Sequence, residues 1–109
     1  MIIVNEDLLS YFRKQHFCEL CGRRIAYGEP AHPHHVECRG MGGGTRLDVA
    51  LNLLSACWQC HDKAHNGDAA KLRQEGIEII AYREGLEVDQ VQQAIWTLTR
   101  RDKYARCGR

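Results

Sequence analysis

The sequence lacks the features of an exported or membrane-spanning protein. Its 109 residues include no charged leader that runs into an apolar segment. They also include no run of about 18 apolar residues, the length that a transmembrane helix needs. Internal repeats and low-complexity segments are absent as well. In a chain without export signals, we expect the six cysteines to be reduced thiols of a cytoplasmic protein.

A strong net charge is also absent. The formal net charge is +1 and the isoelectric point is about 7.7, so composition alone gives no reason to expect a nucleic-acid partner. The charges are uneven, because an acidic stretch at 67–98 precedes a segment at 99–109 with five basic residues and one acidic residue. Such a tail is usually solvated, although it is able to contact phosphates. A chain of this length is expected to form one small domain.

What the sequence does contain is two CxxC pairs, Cys18/Cys21 and Cys57/Cys60. In a reducing compartment, two such pairs predict a tetrahedral zinc site with all four positions filled, which makes the zinc structural. Redox dithiols are disfavoured, because neither pair is surrounded by the strand and helix pattern of a thioredoxin unit. Cys38 and Cys107 are expected to be free thiols.

The central part of the chain reads as two strands followed by a helix. Pro33 disfavours helix both at itself and at the residue before it, so the chain is expected to extend from Ala31 and to bring His34 and His35 to the start of a strand. The glycine-rich loop at 39–46 has an arginine at each end. The remaining predicted elements are a strand at Leu53–Ala56, a helix at 57–65 and a stop in left-handed conformation at Asn66-Gly67.

The flanking parts are predicted to be mostly helical. A helix at 5–15 has Asn5 as its cap, a short strand is expected at 25–27, and a helix at 68–75 is expected to end at Gly76. Residues 77–82 are ambiguous, and a helix runs from Asp89 to about Lys103. Ala81, Gly85, Leu86 and Val91 fall at the offsets of a helix-turn-helix, but Glu84 stands where that motif needs an apolar residue. We therefore favour plain packing over DNA reading for this pair of helices.

Histidines accompany the cysteines in the central part. On a helix, His61 and His65 stand one turn apart on the same face, a spacing at which two imidazoles hold one divalent ion. His32 and His34 lie two residues apart on the same face of the strand, so either of them is able to supply a third ligand.

These residues together resemble the HNH endonucleases. The resemblance rests on His34-His35, Asn52, His61 and His65 in this order, on the GG-x-x-x-D-x-x-x-N-L element from Gly43 to Leu53, and on the CxxCHxxxH ending. It covers about residues 18–65. It implies an α+β fold with a ββα-metal (His-Me finger) core at about 18–66, zinc knuckles, an N-terminal helix and a C-terminal helical extension at 67–109.

The resemblance also implies roles for individual residues. His35 would be the general base that activates water, and Asn52 would tie the loop between the strands and keep that base aimed. Asp48 would support the same loop. The expected metal ligands are His34, His61 and His65 for a catalytic divalent ion, and Cys18, Cys21, Cys57 and Cys60 for structural Zn²⁺. Neighbouring side chains on a regular strand face opposite sides of the sheet. His34 would therefore bind the metal while His35 acts as the base only if the strand is irregular there or the base acts from the rim of the site.

The expected activity is hydrolysis of DNA phosphodiester bonds with limited sequence preference. The catalytic ion would be Mn²⁺ or Mg²⁺, with Ni²⁺ or Zn²⁺ as alternatives, and the candidate phosphate contacts are Arg39, Arg46 and Lys63. One ion and one base cut one strand per event, so a monomer is expected to nick, and a double-strand break needs a dimer or a second event.

The rival interpretation is a non-catalytic zinc module that binds nucleic acid or protein. Cys38 together with His34, His61 and His65 would then close a second structural site. His35 and Asn52 speak against this rival, because a structural zinc protein does not need them. Cleavage of RNA is a third alternative.

Overall fold

Two strands and a helix form the centre of the fold, and the remaining helices pack around them. The structure, a computed structural model, describes residues 2–37 and 46–99. The elements in chain order are β1 (Ile2–Ile3), α1 (Glu6–Arg13), β2 (His32–His35), β3 (Arg46–Leu47), a 3₁₀ turn (Ala50–Asn52), β4 (Leu53–Ala56), α2 (Trp58–Asn66), α3 (Ala69–Glu84) and α4 (Val88–Thr99). This small α+β arrangement confirms the predicted fold class.

The predicted N-terminal helix is confirmed as α1. The Asn5 side chain accepts a hydrogen bond from the Leu8 N–H at 3.0 Å, which satisfies one of the free donors at the start of the helix. Leu9 and Phe12 are buried and pack against Leu53 of β4. The helix is thereby anchored on the central sheet.

The central unit has the predicted order, with β2 and β4 antiparallel and α2 directly after β4. His34 pairs with Leu54, and His35 pairs with Leu53. The expectation that the strand starts at His34 is wrong, because β2 begins at His32 and ends at His35. Among the described strands, β2 pairs with β4 alone, so its other edge forms no hydrogen bonds to a neighbouring strand. Pro33, which has no backbone N–H to donate, is compatible with such an edge strand.

Helix α2 stops at the predicted place by a different mechanism. Gly67 has φ −121°, so the chain does not use the left-handed conformation there. A Cβ atom at this position would lie 2.8 Å from the Lys63 carbonyl oxygen, so the turn requires a glycine for reasons of space.

The short strand predicted at 25–27 is wrong. The backbone instead closes the first cysteine knuckle, with the Cys18 N–H donating to the Arg23 carbonyl and the Ile25 N–H donating to the His16 carbonyl, both at 2.8 Å. A single bridge between Phe17 and Arg24 is all the β structure in this segment.

The expectation that a helix ends at Gly76 is also wrong, because α3 continues through it to Glu84. A Cβ atom at Gly76 would come within 3.0 Å of Leu54 Cδ1 and 3.2 Å of Val36 Cγ2. The glycine therefore lets the helix approach the sheet closely. The helix ends at Gly85, whose φ of +70° is the left-handed conformation that favours glycine.

Helices α3 and α4 share one hydrophobic core with the central sheet. Its buried members are Val36, Leu54, Ile77, Ile80, Ala81, Val91 and Ile95. The helix-turn-helix offsets are thus used for packing. The basic side chains of α3 are engaged in ion pairs with Glu75, Glu37 and Glu19, and the sequence of α4 contains no Lys or Arg. The predicted continuation to Lys103 lies outside the described residues. Within 2–37 and 46–99, no helix has both the length and the apolar character needed to cross a membrane.

The shared core predicts that a cavity in α3 destabilises the whole unit. Ile77→Ala removes a side chain with 0 % exposure, and we expect the free energy of unfolding to fall by about 2–5 kcal/mol in urea denaturation. Tyr82→Ala on the same helix, at 91 % exposure, should change it by less than about 0.5 kcal/mol. Two separate unfolding transitions in the Ile77 variant would contradict a common core.

Candidate functional site

The structure brings the four predicted zinc-binding cysteines together. The sulfur atoms of Cys18, Cys21, Cys57 and Cys60 all lie within 4.8 Å of one another. The Sγ atoms of Cys21 and Cys57 are 3.9 Å apart. Tetrahedral zinc with Zn–S bonds of about 2.3 Å requires sulfur atoms about 3.8 Å apart, so the group fits this metal.

Local structure explains how the cysteines converge. Gly22, with φ +74°, closes the first knuckle, and the Cys21 N–H points at Cys18 Sγ at 3.4 Å. Cys57 stands at the N-cap of α2 and Cys60 in its first turn. Burial raises the pKa of the Cys18 thiol. Burial also acts to raise the pKa of Cys57, but hydrogen bonds from the backbone and thiol of Cys60 and from the other two thiols outweigh it and hold that pKa at about 7.

A second group consists of His34, His61 and His65. Their candidate ligand atoms also lie within 4.8 Å of one another, and their ring centroids are 4.6–5.8 Å apart. The Nδ1 atoms of His34 and His61 are buried without a hydrogen-bond partner among the described residues. Buried polar atoms are normally paired, so these two nitrogens fit a site that a metal ion completes.

The electrostatics of this group favour the neutral form of two of its rings, those of His34 and His61. Burial, followed by the charges of His61, His65 and His35, lowers the pKa of His34 to about 4. Burial and the neighbouring His65 and His32 also lower the pKa of His61. A neutral imidazole has the lone pair that a metal ligand needs, so at pH 7 the group is ready to bind a divalent ion.

His32 lies beside this group without belonging to it. Its ring stacks on that of His61 with centroids 5.2 Å apart and an interplanar angle of 12°. The structure thus brings His34, and not His32, within ligand distance of His61 and His65.

His35 faces the other side of β2 from His34. The pairing of β2 with β4 is continuous, so the strand irregularity that was one of two expectations is absent from residues 32–35. The His35 Nε2 atom lies 2.7 Å from Asp48 Oδ1, and 13 % of the His35 side chain is exposed. Its charge contributes to lowering the pKa of both His34 and His61.

The His35–Asp48 contact fixes the tautomer of the imidazole. Burial acts to raise the Asp48 pKa, but hydrogen bonds from Arg46, the Asn5 backbone N–H and His35 outweigh it and lower that pKa to about 2. An ionised carboxylate only accepts hydrogen bonds, so Nε2 of His35 carries the proton that is donated to it. In the neutral ring the lone pair is then on Nδ1.

Asn52 ties together the two ends of the loop between the central strands. Its side chain is fully buried. Its Nδ2 donates to the carbonyls of Glu37 at 3.2 Å and Leu47 at 3.1 Å, while its Oδ1 accepts from the Glu37 N–H at 2.7 Å. This geometry suits the loop-tying role expected for it.

The three residues predicted to contact phosphate lie in different environments. The guanidinium of Arg46 is engaged by Asp48 and Glu6, each at 2.9 Å, an arrangement that the sequence did not predict. Lys63 is exposed, but it stands two residues from both His61 and His65 and therefore points roughly 200° away from them around α2. Arg39 and Cys38 lie outside the described residues.

The geometry of the cysteine group predicts that substitution of one cysteine abolishes zinc binding. Cys57→Ser should lose one equivalent of zinc in native mass spectrometry and lower the melting temperature, because a filled Cys₄ site stabilises the folded state. Cys107→Ser, at a predicted free thiol, is the matched control and should retain the zinc. Unchanged zinc content in the Cys57 variant would remove this cysteine from the ligand set.

Comparisons with known proteins agree with this geometry. The family model described as HNH endonuclease matches residues 18–67, which include both cysteine pairs and all the histidines of the site. Searches of curated proteins and of solved structures return no match. Residues 18–67 of this chain are therefore similar to the HNH endonuclease family.

Proposed function

We propose that the chain is a divalent-metal-dependent endonuclease that hydrolyses phosphodiester bonds of DNA, one strand per event. The observation that carries the proposal is a three-histidine group with a fourth histidine held beside it by a buried carboxylate, all within a segment similar to the HNH endonuclease family. A zinc-binding module without catalysis has no use for the fourth histidine.

His34, His61 and His65 would hold the catalytic ion. When bound, such an ion supplies positive charge to the phosphate and to the departing 3′ oxygen. The donor set is entirely imidazole nitrogen in the described residues, and imidazole suits Ni²⁺ and Zn²⁺ better than Mg²⁺, which prefers oxygen. We therefore rank Ni²⁺ and Zn²⁺ above Mg²⁺.

His35 is the proposed general base. Its Nδ1 lone pair takes a proton from water, the resulting hydroxide attacks phosphorus, and the bond from phosphorus to the 3′ oxygen breaks. The departing 3′ oxygen takes a proton from solvent water, so the products are a 3′-hydroxyl and a 5′-phosphate. Asp48 keeps the Nε2 proton in place and stabilises the imidazolium that forms, while Asn52 holds the backbone on either side of the pair.

The proposal also includes contacts to the DNA backbone, which are assigned less specifically. Arg39 remains a predicted phosphate contact. Arg46 forms an ion pair with Asp48, so it would contact a phosphate without giving up that pair. The orientation of Lys63 favours a contact away from the scissile bond. With one ion and one base, a monomer nicks duplex DNA, and cutting both strands needs a second copy or a second event.

The catalytic assignment predicts a large effect at one histidine. His35→Ala should lower the rate of nicking of supercoiled plasmid by roughly 10²–10⁴-fold, because a positioned base contributes this much. The exposed His16 is the matched control, and His16→Ala should cut at the rate of the unmodified chain. EDTA should stop the reaction, and Mn²⁺ should restore it.

Three outcomes would contradict this function. Relaxed circles that persist in His35→Ala or in EDTA would show that His35 or the metal is not required. DNA binding without cleavage in any divalent ion would favour the non-catalytic module. Cleavage of RNA oligonucleotides but not of DNA would make RNA the substrate.

The role of Asp48 predicts a tautomer effect. Asp48→Asn replaces the carboxylate by an amide that is able to donate to Nε2, so the proton moves to Nδ1 and the base is lost in part of the molecules. We expect kcat to fall roughly 10–100-fold, as for other groups that orient a reacting side chain. DNA affinity should stay within about twofold, measured by fluorescence anisotropy. Asp89→Asn, at an exposed position on α4, should leave both quantities unchanged.

A further inference from the structure

We infer that the N-terminal segment Ile2–Glu6, which lies outside the family match, positions the general base through the backbone N–H of Asn5. This inference rests on the proposed function, because it names a further positioning residue for the same site. The hydrogen bonds of Asn5 go to Asp48 and Leu8, so Asn5 acts on His35 through Asp48.

The first step of the argument is the burial of the Asp48 carboxylate. Its side chain has 0 % exposure, so its charge is tolerable only if both oxygens are hydrogen-bonded. Oδ1 is shared by His35 Nε2 at 2.7 Å and Arg46 Nε at 3.2 Å. Oδ2 accepts from the Asn5 N–H at 2.9 Å and from Arg46 Nε at 3.0 Å.

The second step concerns rotation of this carboxylate. The two oxygens are chemically equivalent and Arg46 contacts both, with Nε on each of them and a terminal nitrogen on Oδ2, so what has to be fixed is the angle of the carboxylate plane. The Asn5 N–H is directional and bonds Oδ2 alone. It therefore holds Oδ1 towards His35, and the lone pair of the imidazole towards the rim of the site.

The third step explains why the Asn5 N–H is available at this place. β1 pairs with β3 in parallel, with Ile2 opposite Arg46 and Ile3 opposite Leu47. The Asp48 N–H then donates to the Ile3 carbonyl at 2.9 Å. Asn5 is the N-cap of α1, and the N–H of a cap residue has no partner within its own helix.

The fourth step is the anchoring of the segment. Glu6 binds the guanidinium of Arg46 at 2.9 Å. Farther along α1, the Phe12 carbonyl accepts a hydrogen bond from Ser55 Oγ at 2.8 Å. The N-terminal segment is thus fixed to the sheet at both of its ends, which makes it rigid enough to position a catalytic side chain.

The test replaces one backbone N–H by an ester oxygen in the full-length chain. A synthetic thioester peptide of residues 1–17 is ligated to recombinant residues 18–109, for which Cys18 supplies the N-terminal thiol. The ester at Asn5 should lower kcat for plasmid nicking roughly 10–100-fold, with DNA affinity within about twofold. The matched control is an ester at Asp7, whose N–H belongs to the first helical turn and has no intrahelical partner.

A double-mutant cycle separates positioning from general damage. In the Asp48→Ala background, the Asn5 ester should cause no further loss of rate, because it acts only through that carboxylate. Effects that multiply would overturn the inference. So would loss of zinc from the ester-containing chain, which would make the segment a folding element, and so would equal rates for the Asn5 and Asp7 esters.

A spectroscopic measurement makes the inference independent of cleavage. With ¹⁵N-histidine in residues 18–109, the imidazole nitrogen shifts of His35 report which nitrogen carries the proton. The Asn5 ester should turn the single Nε2–H form into a mixture, while the Asp7 ester should not. If the unmodified chain cuts nothing and these shifts change, the proposed nuclease fails and the positioning stands. If it cuts and the shifts are identical, the positioning fails alone.

Discussion

The buried carboxamide of Asn52 is the interaction on which the site depends. Its three hydrogen bonds hold the backbone at Glu37, which directly precedes the segment at 38–45, and at Leu47, which lies two residues after that segment. His35 lies two residues before the first of these positions, and Asp48 directly follows the second. A single side chain therefore sets the distance between the proposed base and the carboxylate that orients it.

The two metal-ligand groups are mechanically connected through α2. Cys57 and Cys60 occupy the start of that helix, and His61 and His65 follow on the next turns. Zinc bound by the sulfur atoms would fix the axial position of the helix against the first knuckle, and with it the two imidazoles. Bound zinc would thereby support the histidine group without contributing a ligand to it.

Sequence reasoning predicted the parts of the molecule that local spacing determines. The CxxC pairs, the His61/His65 repeat and the cap at Asn5 each depend on residues a few positions apart, and the structure has them close together. The ββα order followed from the family resemblance and from the apolar run before Cys57.

Other features could not be predicted, because they depend on contacts between distant parts of the chain. Gly76 reads locally as a helix end, but its neighbours Val36 and Leu54 come from the sheet, and the helix continues because the glycine fits between them and α3. The β1–β3 pairing joins residues more than 40 positions apart, and two-residue strands leave no periodic pattern to detect. A backbone N–H such as that of Asn5 has no signature in any sequence.

A side chain in the last turn of α3 limits the transfer of residues 18–67 to another protein. Arg83 donates to the carbonyls of Ala50 at 2.6 Å and Leu53 at 2.9 Å, and so flanks Asn52 from a helix that lies beyond residue 67. A graft of residues 18–67 onto another scaffold would leave both oxygens without this donor. The host protein would have to supply a guanidinium, or an equivalent pair of donors, at the same place.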